Sequence, residues 1–424
     1  MPLLSWLLAD YTLTKKLRNY SENYVKINEL DKARSRALVR DYVEGHIIEY
    51  CRQYSPLPIL RLEYTGSVYE RLKTEASDEV DLMVVLKTDK PWFWGVSEVI
   101  AEKTDYPGYV RLKARDDSKL LAYTSPEGYI NPERLRNGWF HSLLAQAVNA
   151  FNNSSPSSDV SFNVRYHGPS VQLDIMKKRS YVKLLSVDLV PCFEAAPGKY
   201  FVPKSSKCLS VPHPELLWRQ SFSLREKDML QCMDRNDHGC RHELLRIVKT
   251  IVNRDPTSLG RLDSYNLKTA FLHYISERRE NWAGRNSLGK HFVGFLKELQ
   301  SWLERGNLPH YWLPGVNLLE DINQVVVEQM AYRLKNVLNS RAEMNFILSR
   351  NMPQREEEMQ NAQGYISSGL RLALELLFML MENAFKCILF GIQFLLFCIL
   401  VLVVAFLLLL SVVNVPPPES PPEA

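Results

Sequence analysis

One apolar run near the C-terminal end of the sequence limits how the rest of the chain can fold. From Ile388 to Val413 the sequence reads ILFGIQFLLFCILVLVVAFLLLLSVV, with Gln393 and Ser411 as its clearly polar side chains and no charge. A helix of this length crosses a bilayer core of about 30 Å. Globular helices, by contrast, seldom stay apolar on every face. We therefore predict a transmembrane helix, preceded by a separately folded domain.

The residues that flank this run predict its orientation. The acidic, proline-rich tail over 414–424 follows it, whereas Arg371 and Lys386 precede it, which is a weak positive-inside signal. We expect a single-pass, tail-anchored membrane protein with its large domain in the cytosol. The linker over 346–387 contains an apolar, helical stretch that either lies in the membrane interface or packs as a linker helix.

Composition leaves the class of partner open. The 424 residues are 46% hydrophobic, enough for one large core or two lobes, and the formal net charge is only +4. A nucleic-acid partner would therefore need a local basic face. The seven cysteines are scattered and form no disulfide framework, so a reducing compartment fits best.

Hydrophobic periodicity predicts an α/β lobe followed by an all-helical lobe. A long N-terminal helix is expected within residues 1–55, with Val39, Val43 and Ile47 on its buried face. Alternating segments over 56–205, beginning with Leu60, Leu62 and Tyr64 on one side of a strand, predict the α/β lobe. Residues 206–345 are predicted to form the helical lobe.

A pair of acids on one predicted strand is the main chemical signal. Glu79 and Asp81 are two residues apart in EVDLMVVL, so both carboxylates project from one face while Val80 points into the core. Carboxylates this close repel each other unless a cation lies between them. Mg²⁺, held by carboxylates and substrate phosphates, is the natural ion, and Mn²⁺ is an alternative. This arrangement indicates nucleotidyl transfer.

A third acid would complete such a site, and two candidates remain open on the residues alone. Asp174 lies in VQLDIM and Asp188 in LLSVDLVPCF, where the more apolar strand makes an unpaired carboxylate costly. Upstream, Gly66 and Ser67 follow a strand and could offer amide and hydroxyl donors to phosphates, although a plain turn also explains them.

The segments TGSVYERLKTEASDEVDLMVVL and LLSVDLVPCFE resemble the cyclic GMP-AMP synthase-like enzymes of the male-abnormal-twenty-one (Mab) nucleotidyltransferase family. The resemblance covers roughly residues 10 to 340. It implies Glu79, Asp81 and Asp188 as catalytic, metal-binding residues, and favours Asp188 over Asp174. It also implies a set of nucleotide-binding residues: Thr65, Gly66, Ser67, Arg219, Ser221, Ser223, Glu226, Lys249, Ser264, Tyr265 and Lys268.

Simpler explanations exist for several of these residues. Ser223 and Glu226 have the spacing of a helix capping box. Arg219, Lys249 and Lys268 could be ordinary solvated charges, and Tyr265 could be an aromatic residue of the core. By the resemblance, Tyr265 would stack on a base.

Four residues in QCMDRNDHGCRHELL also suit a tetrahedral zinc site: Cys232, His238, Cys240 and His242. We consider zinc unlikely, because the segment is shorter than the zinc insertion of vertebrate cyclic GMP-AMP synthase and lacks its cysteine pair. This departure argues against DNA sensing of that kind.

The resemblance implies ATP and GTP as substrates of a cyclic dinucleotide synthase in innate immunity. We expect double-stranded RNA, or else DNA, to bind the basic side of the N-terminal helix at Lys32, Arg34, Arg36 and Arg40. The alternative is a catalytically silent, membrane-anchored interaction protein with the same fold.

Overall fold

The computed structural model describes residues 12–74, 79–88, 99–116, 118–154, 158–204, 211–233, 237–278, 282–284 and 287–349. The chain up to Ser349 forms one compact unit. Residues 346–349 of the predicted linker are helical, whereas the rest of the linker, the predicted transmembrane helix at 388–413 and the tail lie outside the described residues. Within the described ranges, no helix combines the length and the apolar character needed to cross a bilayer.

The N-terminal region contains a short helix and, after it, the predicted long helix. The first, α1, covers residues 12–20 and continues as a π-helical turn over Ser21–Val25. The second, α2, runs through Glu29–Leu38, Val39–Ile48 and Glu49–Tyr54 without interruption. The chain becomes extended at Lys26, and the side chain of Asn28 caps α2 by accepting from the Leu30 N–H.

The predicted buried face of α2 is confirmed. Val39, Val43 and Ile47 are at most 1% exposed and belong to the core under the sheet. Their spacing of three to four residues places them on one side of the helix. The helix therefore anchors the N-terminal region to the α/β lobe.

A single mixed sheet forms the α/β lobe. Its nine strands are β1 Ile59–Thr65, β2 Glu79–Leu86, β3 Val99–Lys103, β4 Tyr109–Ala114, β5 Val160–His167, β6 Ser170–Lys177, β7 Lys183–Ala196, β8 Lys199–Val202 and β9 Leu217–Ser221. The main path runs β1-β2-β7-β8-β9-β4-β3, and β5 and β6 extend from β7. Strands β2 and β7 pair in parallel, and the other described pairs are antiparallel.

Helices cover the sheet and form the second lobe. A short helix, α3, spans Gly66–Tyr69, and α4 runs continuously through Pro132–Arg134, Leu135–His141 and Ser142–Ser154. The remaining α-helices of the described residues are α5 Ser223–Met233, α6 Cys240–Asn253, α7 Ser264–Ser276, α8 Ser287–Glu304, α9 Gln324–Asn339 and α10 Arg341–Ser349, and short 3-10 helices cover Lys119–Tyr123 and Pro214–Leu216. The apolar stripe predicted on α8 is confirmed, because its members are at most 6% exposed: Phe292, Phe295, Leu296, Leu299 and Trp302.

Two sequence-based expectations fail at the strands. Leu60 is 47% exposed, because an irregularity in the pairing of β1 with β2 between Ile59 and Arg61 turns it away from Leu62 and Tyr64. The five-residue strand β9 lies inside the segment assigned to the helical lobe, and it pairs with β8 and β4. A strand this short carries little periodicity of its own.

Candidate active site

The predicted acids meet where β2 and β7 run side by side. Asp81 is the direct partner of Asp188 in the parallel register, and Thr65 is the partner of Asp81 on the other side. Val80, between the two acids of β2, is 1% exposed, as the alternation predicts. One sheet face therefore presents Glu79, Asp81 and Asp188 together.

A histidine joins these acids. Ligand atoms of Glu79, His167 and Asp188 all lie within 4.8 Å of one another. Nδ1 of His167 lies 2.9 Å from Asp188 Oδ2, and Gln172 Nε2 donates to Asp188 Oδ1 at 2.7 Å. His167 is not among the site residues predicted from the sequence. Its only signal is its position at the end of β5, directly before a Gly-Pro turn.

Gly66 explains how Asp81 is accommodated. A Cβ added at this residue would lie 1.8 Å from Asp81 Oδ2, and Gly66 has φ +76°. Only glycine satisfies both conditions at low cost. Burial, followed by repulsion from Asp188 and Glu79, raises the pKa of Asp81 to about 7.

This donor set fits a divalent cation. The raised pKa of Asp81 shows that its negative charge is poorly compensated by the protein itself. Glu79, Asp81 and Asp188 would hold Mg²⁺ or Mn²⁺, and such ions, when bound, supply activation of an attacking hydroxyl and neutralisation of phosphate charge.

Asp174 has a different environment from Asp188. Its carboxylate accepts from the Ser186 hydroxyl at 2.6 Å and lies 3.3 Å from the Arg165 guanidinium. These partners give it a structural role in pairing β6 with β7. The geometry therefore favours Asp188 as the third acid.

A cleft of about 600 Å³ opens beside the acids. Glu79 and Asp81 line it, together with most of the residues that the resemblance implied for nucleotide binding: Thr65, Gly66, Ser67, Ser221, Ser223, Lys249, Ser264, Tyr265 and Lys268. Arg219 and Glu226 are not among its lining residues. The cleft is bounded by both lobes, since α3 and the end of β1 form one wall and α6 and α7 form the other.

A buried ion-pair network holds the two walls together. Lys268 Nζ lies 2.9 Å from Glu70 and 2.7 Å from Glu226, and the side chain of Lys268 is 11% exposed while those of the two glutamates are at most 4% exposed. Burial alone would lower the pKa of Lys268, but attraction by Glu70 and Glu226 outweighs it and raises the pKa. Lys268 is therefore a charged bridge between lobes and not a solvated residue.

The same network excludes the capping-box hypothesis for Ser223 and Glu226. The Glu226 carboxylate accepts from Trp312 Nε1 at 3.2 Å and pairs with Lys268, so it does not turn back to cap α5. The Ser223 hydroxyl contacts the Ser221 hydroxyl at 3.0 Å. Glu226 thus acts behind the cleft wall, whereas the two serines face the cleft.

Tyr265 is held at the cleft edge by polar partners. Its hydroxyl lies 3.0 Å from His310 Nε2, and the Arg219 guanidinium lies 5.9 Å from its ring centre. Burial lowers the pKa of His310 to about 4, with Arg219 adding to the effect. The neutral imidazole accepts two backbone N–H groups through Nδ1 and donates through Nε2 to the tyrosine. The ring of Tyr265 is thereby fixed at the edge of the cleft.

The segment over residues 70–74 connects this cleft to a second cavity. The second cavity, which we call the basic pocket, has a volume of about 380 Å³. Five cationic side chains line it together with Glu29 and His242: Lys32, Arg36, Arg71, Lys73 and Arg246. Lys73 lines both cavities. Two of the predicted basic residues of α2 therefore converge here, whereas Arg34 is exposed and Arg40 pairs with Asp41 at 2.7 Å.

The four residues considered for zinc do not form a group of metal ligands within the described part of the chain. Cys232 is exposed, and the buried His242 donates through Nε2 to the Glu70 carbonyl at 3.0 Å. His242 therefore ties α6 to the end of α3.

Comparison with known proteins agrees with this architecture. Residues 68–232 match the Mab-21 protein nucleotidyltransferase domain, and residues 240–336 match the Mab-21 protein HhH/H2TH-like domain. The chain belongs to the Mab-21 nucleotidyltransferase family. The two matched ranges meet between α5 and α6, so the Mab-21 division follows the two lobes and keeps β9 with the sheet.

Three relatives show the range of similarity. Cyclic GMP-AMP synthase-like receptor 3 of Stylophora pistillata is 50% identical over 341 residues, which is 80% of this chain and 98% of that protein. A cyclic GMP-AMP synthase-like receptor of Ctenocephalides felis is 25% identical over 77% of this chain and 83% of its own length. Mitochondrial dynamics protein MID51 of Danio rerio is 28% identical over 66% of this chain, covering 59% of that protein.

Proposed function

We propose that this Mab-21 protein is a metal-dependent nucleotidyltransferase that joins ATP and GTP into a cyclic dinucleotide. The observation that carries the proposal is the convergence of Glu79, Asp81 and Asp188 beside a cleft large enough for nucleotides. The similarity to a cyclic GMP-AMP synthase-like receptor at 50% identity supports the choice of product.

The proposed reaction forms one phosphodiester bond at a time. A ribose hydroxyl oxygen of one nucleotide attacks the α-phosphorus of the other, the α–β phosphoanhydride bond breaks, and pyrophosphate leaves with the negative charge. The hydroxyl proton passes to solvent or to a basic group. A second transfer in the opposite direction closes the ring and releases a second pyrophosphate.

The side chains of the cleft have distinct parts in this proposal. Ser67 and Lys249 stand where they could bind the triphosphate, and the Tyr265 ring offers a face for base stacking. Lys268 and Glu70 keep the two walls aligned through their ion pair. The acids provide the negative charge that selects a divalent cation.

A nucleic acid is the proposed activator, in the setting of innate immune signalling. The basic pocket offers a dense set of cations that would contact phosphates. Lys73, shared with the cleft, gives a physical link between the pocket and the acids. We favour double-stranded RNA over DNA, since recognition here would depend on phosphates and shape.

We also propose, from the sequence alone, that a C-terminal helix anchors the protein in a membrane. Residues 388–413 are apolar enough to span a bilayer, and the large domain would face the cytosol. Protease protection of intact, sealed membranes tests this. Digestion of the large domain from the cytosolic side supports it, and protection of that domain contradicts it.

The activity test uses the full-length chain with all four nucleoside triphosphates, one α-³²P-labelled at a time, with Mg²⁺ or Mn²⁺ and with or without duplex RNA or DNA. A labelled product resistant to phosphatase and formed only when ATP and GTP are both present supports the proposal. Failure of the intact, nucleotide-binding protein to make any product would favour the alternative, a silent Mab-21 interaction protein.

A further inference from the structure

His167 occupies an unusual place among the acids. It is the last residue of β5, and the turn that follows contains Gly168 at φ +53° and Pro169, which lines the cleft. Ser170 Oγ donates to the His167 carbonyl at 2.7 Å and closes the turn. Pro169 therefore lines the cleft, whereas the imidazole of His167 lies against Asp188.

His167 and Asp188 both lie next to the side chain of Gln172. Arg165 Nε donates to Gln172 Oε1 at 2.7 Å, which orients the amide so that Nε2 faces Asp188 Oδ1. Asp188 then presents its other oxygen, Oδ2, to His167 Nδ1 at 2.9 Å. A carboxylate only accepts, so Nδ1–H donates in this arrangement.

The same atoms lie close to the spacing expected for ligands of one ion. Two ligands about 2.1 Å from a common ion lie roughly 3 to 4 Å apart, depending on the angle between them. The ligand atoms of Glu79, His167 and Asp188 all lie within 4.8 Å of one another. The His167 side chain is 57% exposed, so small rotations can bring it onto an ion without moving the sheet.

We propose that His167 is a nitrogen ligand of the divalent-cation site, acting with Glu79 and Asp188. The inference rests on the proposed function and extends it to metal choice. Imidazole nitrogen suits first-row transition ions, whereas Mg²⁺ prefers oxygen. His167 therefore biases the site toward an ion such as Mn²⁺. With the ion bound, the imidazole proton resides on Nε2, and Asp188 keeps its hydrogen bond from Gln172.

The test is direct binding of Mn²⁺ to the full-length chain, with its histidines labelled with ¹⁵N, followed by pulsed electron paramagnetic resonance. We expect a ¹⁵N hyperfine coupling of a directly bound nitrogen. The coupling should vanish in H167Q, and in H167N as a second variant. Mn²⁺ affinity should fall at least about tenfold, with a smaller change for Mg²⁺.

The matched control is H213Q, which alters an exposed histidine paired with Glu215 far along the chain. It should keep both the coupling and the affinity. Mn²⁺ that binds wild-type protein through Glu79 and Asp188 without a ¹⁵N coupling overturns this inference and leaves the proposed function intact. If Mn²⁺ does not bind, or if its binding is unchanged when Glu79 or Asp188 is replaced, both this inference and the proposed function are overturned.

Discussion

Asp81 lies directly opposite Asp188 in the parallel register of β2 and β7. Two carboxylates so placed, with Glu79 two residues away, concentrate negative charge at one end of a strand pair that is otherwise apolar. Gly66 allows the close approach, since any Cβ there would collide with Asp81. The acids are therefore packed together more tightly than folding alone would favour.

We predict that D188N reduces nucleotidyl transfer about a hundredfold or more, because it removes a charge that faces the acid pair. D174N should retain most activity, since Asp174 pairs with Arg165 and Ser186. Initial rates measured at saturating nucleotide decide this. Loss of activity in D174N with D188N left active would reverse the assignment of the third acid.

The second prediction concerns stability without metal. The folded-state pKa of Asp81 is about 7 against an ordinary 3.8, so the ionised carboxylate destabilises the fold. This penalty grows as pH rises from about 4 to 7. In EDTA at pH 8, D81N should therefore melt at a higher temperature than wild type, and its free energy of unfolding should be larger by on the order of 4 kcal/mol.

Thermal scans from pH 4 to pH 8 provide the measurement. The advantage of D81N should shrink as pH falls and should disappear near pH 4. An advantage that is independent of pH would mean that repulsion and burial of this carboxylate are not its cause.

Features that depend on residues close together in the sequence could be predicted from it, whereas features that depend on residues far apart in the sequence could not. The buried faces of α2 and α8 and the outward acids of β2 follow from local periodicity, and they were predicted. His167 could not be found this way, because its approach to Asp188 depends on the pairing of β5, β6 and β7. The role of Lys268 was hidden for the same reason, since its partner Glu70 is 198 residues away in sequence.

The third prediction concerns the ion pairs of Lys268 with Glu70 and Glu226. K268A leaves Glu70 and Glu226 buried without their cation, and we expect a loss of about 3–5 kcal/mol in the free energy of unfolding. K335A, on the exposed side of α9, is the matched control and should change it by less than about 0.5 kcal/mol. Urea titration of both variants gives the comparison. Equal stabilities would show that Lys268 is not a structural bridge.

The fourth prediction separates two pairs of basic residues on α2. K32E/R36E should weaken binding of duplex RNA, and the dependence of log K on log salt should flatten by about one unit for each phosphate that the variant no longer binds. R34E/R40E carries the same change in charge outside the basic pocket and should have a smaller effect. Fluorescence anisotropy over a salt series measures both. Equal losses of affinity in the two variants would argue for a diffuse surface in place of the pocket.

The most direct test of the central claim is pyrophosphate release from ATP and GTP by the full-length chain, with Mg²⁺ or Mn²⁺ and duplex nucleic acid present. Wild-type protein should release two pyrophosphates for each cyclic dinucleotide formed. E79Q/D81N should release none above background while remaining folded, because the pair provides the negative charge that holds the ions. Normal release by this double variant would contradict the assignment of these acids as the catalytic centre.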